Sequence, residues 1–238
     1  MHREHHRWYS PSLGRDMELL VFGHAGARLL ALPTSLGRFH EWQDFGMIEA
    51  LGEHLERGWV QAYCVDSVDA ESWYARYLHP GDRARRQLQY DHYIVDEVLP
   101  LTQRNDNPFL IAAGASFGAY QAVCLAFRHP EMFGRVIGMS GLYDIRDLTD
   151  GYSDGNVYSV NPSDFVINEH DEGRLAALRR MDIILATGRS DPNVGSNEHL
   201  SRVLWDRGIG NALRLWDGWS HDWPYWHHMI RTYIGGHD

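Results

Sequence analysis

The sequence predicts an α/β fold with a mostly parallel central sheet, helices on both faces and a small inserted cap. Apolar runs of strand length alternate with stretches of helical periodicity along most of the 238 residues. Such alternation favours parallel strands joined by crossover helices. One serine, Ser116, lies in a Gly-Ala-Ser-Phe-Gly motif between an apolar run and a helical stretch. Strand, tight turn and helix in this order are the layout that exposes a nucleophile above a sheet.

The first part of the chain predicts a hairpin, a helix, a strand and a long helix. Apolar runs at 17–22 and 28–33, joined by Gly-His-Ala-Gly, predict the hairpin. Apolar residues recur at helical spacing over 41–57, and a glycine follows. A strand is predicted at 59–65. The long helix is predicted over 82–99, with a charged face, and is expected to end at the next residue, a proline.

The second part continues the alternation around and beyond Ser116. Strands are predicted at 109–113, 135–139, 182–187 and 212–216, and helices at 119–128, 196–207 and 224–234. The segment 142–180 is longer than a crossover needs, and we expect it to form a small cap or lid. Within it, Asn161-Pro162 has the composition of a helix start. We expect a single domain over residues 1–238.

Composition excludes several classes of function. With 44% apolar residues, nine Trp and twelve Tyr, the chain has enough material for one sizeable core. A net charge of −10 repels phosphate backbones and anionic lipid surfaces, so we expect no nucleic-acid or membrane partner. All 22 basic residues are arginine, which removes lysine Schiff-base and pyridoxal phosphate chemistry. We expect no cofactor and no metal.

Two features favour a cytoplasmic location. The first residues lack the apolar core of a signal peptide. The two cysteines, Cys64 and Cys124, each lie in an apolar run, which is typical of reduced, buried thiols. No apolar stretch approaches the ~20 residues that a membrane span needs. A homo-oligomer is compatible with the sequence.

The Gly-x-Ser-x-Gly pattern occurs twice, and its context separates the two copies. Gly114 and Gly118 stand two residues before and after Ser116, where strand and helix cross too closely for a side chain. The second copy, around Ser153, follows a polar run, and no helix is predicted after it. We interpret the second copy as a polar loop and predict Ser116 as the nucleophile.

A serine hydroxyl needs a base, and the base is oriented by an acid. On such a sheet, the acid and then the histidine follow the serine on loops after later strands. The loop after the last predicted strand contains His221, which we predict to be the base. The loop after the preceding strand contains Asp191, which we predict to be the acid. Glu198, one helical turn further on, is the alternative acid.

Two backbone amides are predicted to bind the oxyanion, and two aromatic residues to line the substrate pocket. The first amide is that of Phe117, at the start of the helix after the serine. The second comes from the Thr-Ser-Leu-Gly loop after the early strand, where we favour Leu36 over Ser35. Trp73 and Tyr74 follow the end of a predicted strand on the same side of the sheet, and we expect them to contact substrate.

The motifs resemble the putative-esterase family of α/β-hydrolases, which includes esterase D, feruloyl esterases, enterochelin esterases and mycolyltransferases. The resemblance rests on the elbow at 114–118, on Phe-Gly-Arg-Val-Ile-Gly-Met-Ser-Gly at 133–141, and on Gly-Trp-Ser-His-Asp-Trp-Pro-Tyr-Trp at 218–226. It spans about 17–233 and implies an α/β-hydrolase fold. It also implies that the Leu36 amide is an oxyanion donor.

We therefore expect a serine carboxylic-ester hydrolase that acts on a small or medium ester through an acyl-enzyme. Two alternatives remain open: an acyltransferase that uses the same Ser-His-Asp site, and a non-catalytic binding protein with the same fold. A metal site is the least favoured reading. The histidine clusters near the two ends of the sequence, at 2–6 and 221–228, lack the spacing of a zinc motif.

Overall fold

Eight strands form one mixed sheet in the computed structural model, which describes residues 1–236. The strands are Arg3–Ser10 (β1), Arg15–Phe22 (β2), Ala27–Leu32 (β3), Val60–Val65 (β4), Leu110–Ala115 (β5), Arg135–Met139 (β6), Asp182–Gly188 (β7) and Ala212–Trp216 (β8). Their order in the sheet is β1-β2-β4-β3-β5-β6-β7-β8. The pairs from β4 to β8 are parallel, whereas β1 and β2 join antiparallel. The predicted mostly parallel sheet is confirmed.

Helices cover both faces of this sheet. Within residues 1–236 the α-helices are Glu41–Asp44 (α1), Met47–Ala50 (α2), Gly52–Glu56 (α3), Pro80–Tyr93 (α4), Leu99–Thr102 (α5), Phe117–Arg128 (α6), Gly155–Ser159 (α7), Pro162–Phe165 (α8), Glu172–Arg180 (α9), Val194–Asp206 (α10) and Trp223–Tyr233 (α11). A π-helical segment, Ile94–Val98, joins α4 to α5, and Arg146–Leu148 is a 3₁₀ turn. No helix in this part of the chain is long and apolar enough to cross a membrane.

The core has a layer on each face of the sheet because successive strand residues point to opposite sides. In β3, Leu30 and Leu32 pack with residues of α4, α6 and α10 on one face. Leu29 and Ala31 pack with residues of α1–α3 and α11 on the other. The strand is therefore apolar from residue 29 to residue 32, which is the pattern of a parallel strand buried on both faces.

The predicted hairpin between 17–22 and 28–33 is wrong. The two strands form, but β2 pairs with β1 and β4, while β3 pairs in parallel with β4 and β5. The hairpin partner of β2 is β1, whose sequence is Arg-Glu-His-His-Arg-Trp-Tyr-Ser. An edge strand can be this polar because only one of its edges is paired and one face meets solvent.

Two helices predicted in the N-terminal half of the chain differ from the observed helices, one at a glycine and the other at a proline. The helix predicted over 41–57 is divided into α1, α2 and α3. Gly46 adopts a φ of 78°, a left-handed conformation that separates α1 from α2. The helix predicted to end at Pro100 continues to Thr102. Pro100 lies in the first turn of α5, directly after the π-helical segment Ile94–Val98.

The segment between β6 and β7 contains the 3₁₀ turn and the short helices α7, α8 and α9. Asn161 is the N-cap of α8, as the sequence predicts. The second Gly-x-Ser-x-Gly copy lies in the turn that leads to α7. A helix does follow this copy, contrary to expectation, because Asp154 caps it by accepting the N–H of Val157 at 2.8 Å. No strand precedes Ser153.

Candidate active site

Ser116 lies on a strained turn between β5 and α6. Its φ is 54° and its ψ is −119°, a combination that non-glycine residues rarely adopt. The surrounding backbone explains the flanking glycines. A Cβ on Gly114 would lie 2.1 Å from the carbonyl oxygen of Gly118, and one on Gly118 would lie 2.4 Å from that of Pro33. The turn therefore needs hydrogen at both positions, and it lifts the serine out of the path of the strand.

Ser116, His221 and Asp191 are brought together at the carboxyl ends of parallel strands, which share one edge of the sheet. His221 follows β8, and its Nε2 lies 3.1 Å from the Oγ of Ser116. Asp191 follows β7, and its two carboxylate oxygens lie 3.1 and 3.0 Å from the Nδ1 of His221. A hydroxyl, an imidazole and a carboxylate in this series can pass a proton from the first to the second.

Asp191 is held in place by more than the histidine. The residue is 2% exposed, and its carboxylate accepts hydrogen bonds from the Thr187 hydroxyl at 3.0 Å and from the Asn193 N–H at 2.8 Å. Burial alone would raise its pKa. The hydrogen bonds from His221 and Asn193 outweigh burial, so the pKa of Asp191 is lowered below its usual value. The group is an anion, oriented toward the imidazole.

The loop that carries His221 is fixed by tryptophans and by a buried serine. The His221 ring stacks on Trp219 at 5.7 Å and meets Trp226 edge-on at 5.4 Å between centroids. The indole N–H of Trp226 donates to the Oγ of Ser140, which donates in turn to the carbonyl of Ser220. Sequence reasoning did not single out Ser140. Its position directly after β6 was the available signal.

The Phe117 amide is suited to bind an oxyanion. As the first residue of α6, Phe117 has a backbone N–H without an intrahelical acceptor. The positive end of the helix dipole lies at the same point and favours negative charge there. The N-terminal end of α6 can therefore stabilise an alkoxide that develops next to Ser116.

The Leu36 amide is already hydrogen-bonded in the structure. Residues 34–37, which we call the oxyanion loop, follow β3. Leu36 adopts a φ of 60°, and its N–H donates to the Oδ2 of Asp69 at 3.0 Å. The predicted role of Leu36 as an oxyanion donor thus requires this N–H to be shared with, or released from, a buried carboxyl group.

A second buried carboxyl group fixes the start of the same loop. Glu41 accepts hydrogen bonds from the Thr34 N–H at 2.7 Å and from the Thr34 hydroxyl at 2.8 Å. Burial raises the pKa of Glu41, although both of these hydrogen bonds act in the opposite direction. The oxyanion loop is therefore held from two sides by acidic side chains.

The two aromatic residues predicted to contact substrate lie in different environments. Trp73 is 1% exposed and packs edge-on against Tyr120 in the core, so its side chain offers no surface to a substrate. Tyr74 is partly exposed. Its hydroxyl donates to the Oγ of Ser35 at 2.6 Å, and its ring meets Phe117 edge-on at 5.5 Å. Tyr74 therefore links the oxyanion loop to the start of α6.

The remaining candidates lie apart from this site. Glu198, the alternative acid, is exposed on α10. His227 lies on α11, and its Nε2 is 2.7 Å from the carbonyl oxygen of Phe45. Among residues 1–236, no group of three or more His, Cys, Asp or Glu side chains has an arrangement that could hold a metal ion.

The family model described as putative esterase matches residues 39–233. The chain belongs to the putative-esterase family. Membership identifies it as a hydrolase of carboxylic esters, with small-molecule esters as the substrate class. No curated protein sequence gives a match to this esterase.

Solved structures with similar folds are α/β-hydrolase esterases. A ferulic acid esterase superimposes with a TM-score of 0.76 at 21% identity, covering 97% of this chain and 95% of its own. An S-formylglutathione hydrolase from Agrobacterium tumefaciens gives 0.75 at 14% identity, with coverages of 98% and 93%. FphF, a fluorophosphonate-binding serine hydrolase of Staphylococcus aureus, gives 0.72 at 16% identity, with coverages of 98% and 97%. At these identities the likeness establishes the α/β-hydrolase fold.

Proposed function

We propose that this esterase is a serine hydrolase that cleaves small or medium carboxylic esters through an acyl-enzyme on Ser116. The observation that carries the proposal is the continuous series from the Ser116 hydroxyl to His221 and on to Asp191, with separations of 3.1 and 3.0 Å. The series lies beside a helix N-terminus with an unpaired amide, and family membership supplies the ester chemistry.

In the first half-reaction the Nε2 of His221 removes the Ser116 proton as the serine oxygen attacks the ester carbonyl. The Asp191 carboxylate keeps the Nδ1 protonated and stabilises the imidazolium that forms. The imidazolium then donates its proton to the departing alcohol, which leaves the acyl group on Ser116. In the second half-reaction a water molecule takes the place of the alcohol, and the same proton transfers release the acid.

The tetrahedral intermediate in each half-reaction carries a negative oxygen, which needs donors placed before the reaction begins. The Phe117 N–H is one donor, and the Leu36 N–H is the second. Tyr74, which contacts both the oxyanion loop and Phe117, is the residue we assign to the substrate pocket next to them.

Replacement of the nucleophile tests the proposal, and the second motif of the chain supplies a matched control. Ser116→Ala is expected to lower kcat on p-nitrophenyl esters of two to eight acyl carbons by roughly 10⁴-fold or more. Ser153→Ala should retain activity, because Ser153 follows no strand and lies in an unrelated turn.

A fluorophosphonate probe gives a second measurement that does not depend on the choice of ester. The wild-type protein and Ser153→Ala should be labelled covalently, and the modified peptide should contain Ser116. The proposal fails if Ser116→Ala keeps its esterase activity, or if the probe leaves the wild-type protein unmodified.

A further inference from the structure

Asp69 is a buried carboxylic acid directly beneath the oxyanion loop, and the mechanism above does not use it. Its side chain is 1% exposed, in the segment after β4. One oxygen, Oδ2, accepts the N–H of Leu36 at 3.0 Å. The other, Oδ1, accepts the side-chain N–H of Gln121 at 3.2 Å. Asp69 thus contacts the same N–H that the reaction needs for the oxyanion.

The surroundings of Asp69 contain acids but no paired cation. Within residues 1–236, no arginine or histidine lies within ion-pair distance of its carboxyl group. The polar and titratable groups that face it are Glu41 on α1, Asp66 at the end of β4, Tyr90 on α4, Gln121 on α6 and the Leu36 N–H. Arg38, which follows the oxyanion loop, is bound to Asp66 at 2.5 Å.

These surroundings favour the neutral acid. Burial, and then the negative charges of Glu41 and Asp66, raise the pKa of Asp69 to about 7, although the hydrogen bonds from Leu36 and Gln121 act against the rise. Asp69 therefore changes its charge in the pH range in which a serine esterase works. By contrast, Asp191 is anionic throughout that range, since its pKa is lowered.

We propose that Asp69 is a proton-linked positioning residue of the oxyanion hole, holding the Leu36 N–H when ionised and yielding it to the acyl oxygen when protonated. The inference rests on the proposed function. A hydrogen bond to a carboxylate is roughly twice as strong as one to a neutral acceptor, so the ionised form competes better for the N–H. A buried negative charge beside the hole also opposes the developing oxyanion directly.

The pH profile of kcat/KM tests this role. The wild-type profile should have an acid limb, as a reaction that needs a general base requires, and an alkaline limb, where Asp69 ionises. Across the alkaline limb we expect roughly a tenfold fall, less than the 10²–10³ that loss of an oxyanion donor costs, because the Leu36 N–H is then shared with a carboxylate and not removed. Asp69→Asn should keep the acid limb and lose the alkaline one.

Asp69→Asn preserves the contacts that a structural role would require. The asparagine oxygen can accept the Leu36 N–H, and its amide can donate to Gln121 after Gln121 and its hydrogen-bonded partner Gln87 both turn over. Glu41→Gln is the matched control, since Glu41 is a buried carboxyl group on α1 that binds the same loop at Thr34 and not at Leu36. Glu41→Gln should retain the alkaline limb, displaced to lower pH because a negative charge that raises the pKa of Asp69 is removed. An alkaline limb of equal size in Asp69→Asn would overturn the proposal.

A binding measurement on the wild-type protein keeps the test independent of variant folding. An alkyl trifluoromethyl ketone adds to a catalytic serine and forms an oxyanion, while the serine proton moves to the histidine. Without a linked group, binding above the acid limb involves no net proton uptake, and Ki stays constant. With Asp69 linked, Ki should rise about tenfold from pH 6.5 to 8.5 in the wild-type protein. A constant Ki would refute the role of Asp69.

Fluorophosphonate labelling separates the two proposals. If the wild-type protein is not labelled at Ser116, the serine mechanism itself is rejected. If labelling occurs and the ketone binds with a constant Ki, the serine mechanism stands and only the role of Asp69 is rejected.

Discussion

Asp191 and Asp69 are buried aspartates at the same edge of the sheet, and their partners shift their pKa values in opposite directions. Asp191 faces an imidazole and a backbone N–H, which stabilise its anion against the cost of burial. Asp69 faces amides and two other acids, so burial prevails and its neutral form is favoured. The two aspartates therefore have different roles. A permanent anion can orient a base, whereas a titrating acid can respond to pH.

The orienting role of Asp191 leads to a specific expectation. Asp191→Asn should lower kcat by on the order of 10⁴-fold, because an amide can donate to the Nδ1 of His221 and so favour the wrong tautomer. Steady-state kinetics with p-nitrophenyl acetate measure the loss. The control is Glu198→Gln, the exposed alternative acid, which should retain wild-type kcat. A large loss in the control with activity kept in Asp191→Asn would reverse the assignment.

At the level of single residues, the sequence predicts those functional residues whose place is set by the order of the strands and loops along the chain. Ser116, Asp191 and His221 could be chosen because each follows a recognisable strand. Trp73 and Tyr74 could not be separated, because neighbouring residues in an irregular segment point in different directions and only the packed fold decides which is buried. The role of Asp69 could not be predicted for a related reason. The residues that it contacts, Leu36 and Gln121, are 33 and 52 residues away along the chain.

At the level of secondary-structure elements, the crossing of β5, α6 and β3 depends on two glycines. Gly118→Ala would place a Cβ 2.4 Å from the Pro33 carbonyl oxygen and 2.6 Å from that of Leu32. Both are backbone atoms, which cannot move aside as a flexible side chain could. We expect a loss of about 1–3 kcal/mol or more in the free energy of unfolding, measured by urea denaturation.

Gly195→Ala is the matched control for this substitution. Gly195 also lies near the start of a helix, α10, and a Cβ there would meet nothing within 4 Å. Alanine should leave stability unchanged or raise it by up to about 1 kcal/mol, since glycine is the poorer helix former. Equal effects of the two substitutions would show that the close backbone approach at Gly118 costs no stability.

The same distinction between local and long-range information explains which elements the sequence predicts. Strands 135–139 and 212–216 are observed at the predicted residues, because local apolar runs bounded by turns define them. The predicted pairing of β2 is wrong because the nearest apolar run along the chain is not its hairpin partner. The observed partner, β1, is a polar edge strand that an apolar pattern does not indicate. The division of 41–57 depends on a left-handed Gly46, which periodicity does not register.

At the level of the whole molecule, buried carboxyl groups set how stability depends on pH. A carboxyl group whose pKa is lowered by folding contributes stability that is present above its unfolded pKa and is lost as the pH falls through the folded value. Asp191 belongs to this class, as does Asp91, where bonds to His129 and Arg128 outweigh burial. The stability that these two carboxylates contribute is therefore lost in acid.

Carboxyl groups with raised pKa values have the opposite effect. The folded state then holds a proton that the unfolded state has already lost, so stability falls as the pH rises between the unfolded and folded values and is level above them. Asp69, with a pKa raised to about 7, and Glu41 belong to this class. The two classes therefore give the stability of the protein pH dependences of opposite sign on the acid side of neutrality.

Asp69→Asn isolates one of these contributions. Between pH 5 and 8 the free energy of unfolding of the wild-type protein should fall relative to that of Asp69→Asn, by on the order of 2–3 kcal/mol, since each unit of pKa shift is worth about 1.4 kcal/mol. Urea denaturation at intervals across this range measures the difference, and contributions from the histidines cancel. Glu198→Gln, which removes an exposed carboxyl group, should run parallel to the wild-type protein over the same range. Parallel curves for Asp69→Asn as well would mean that Asp69 does not titrate there in the folded state.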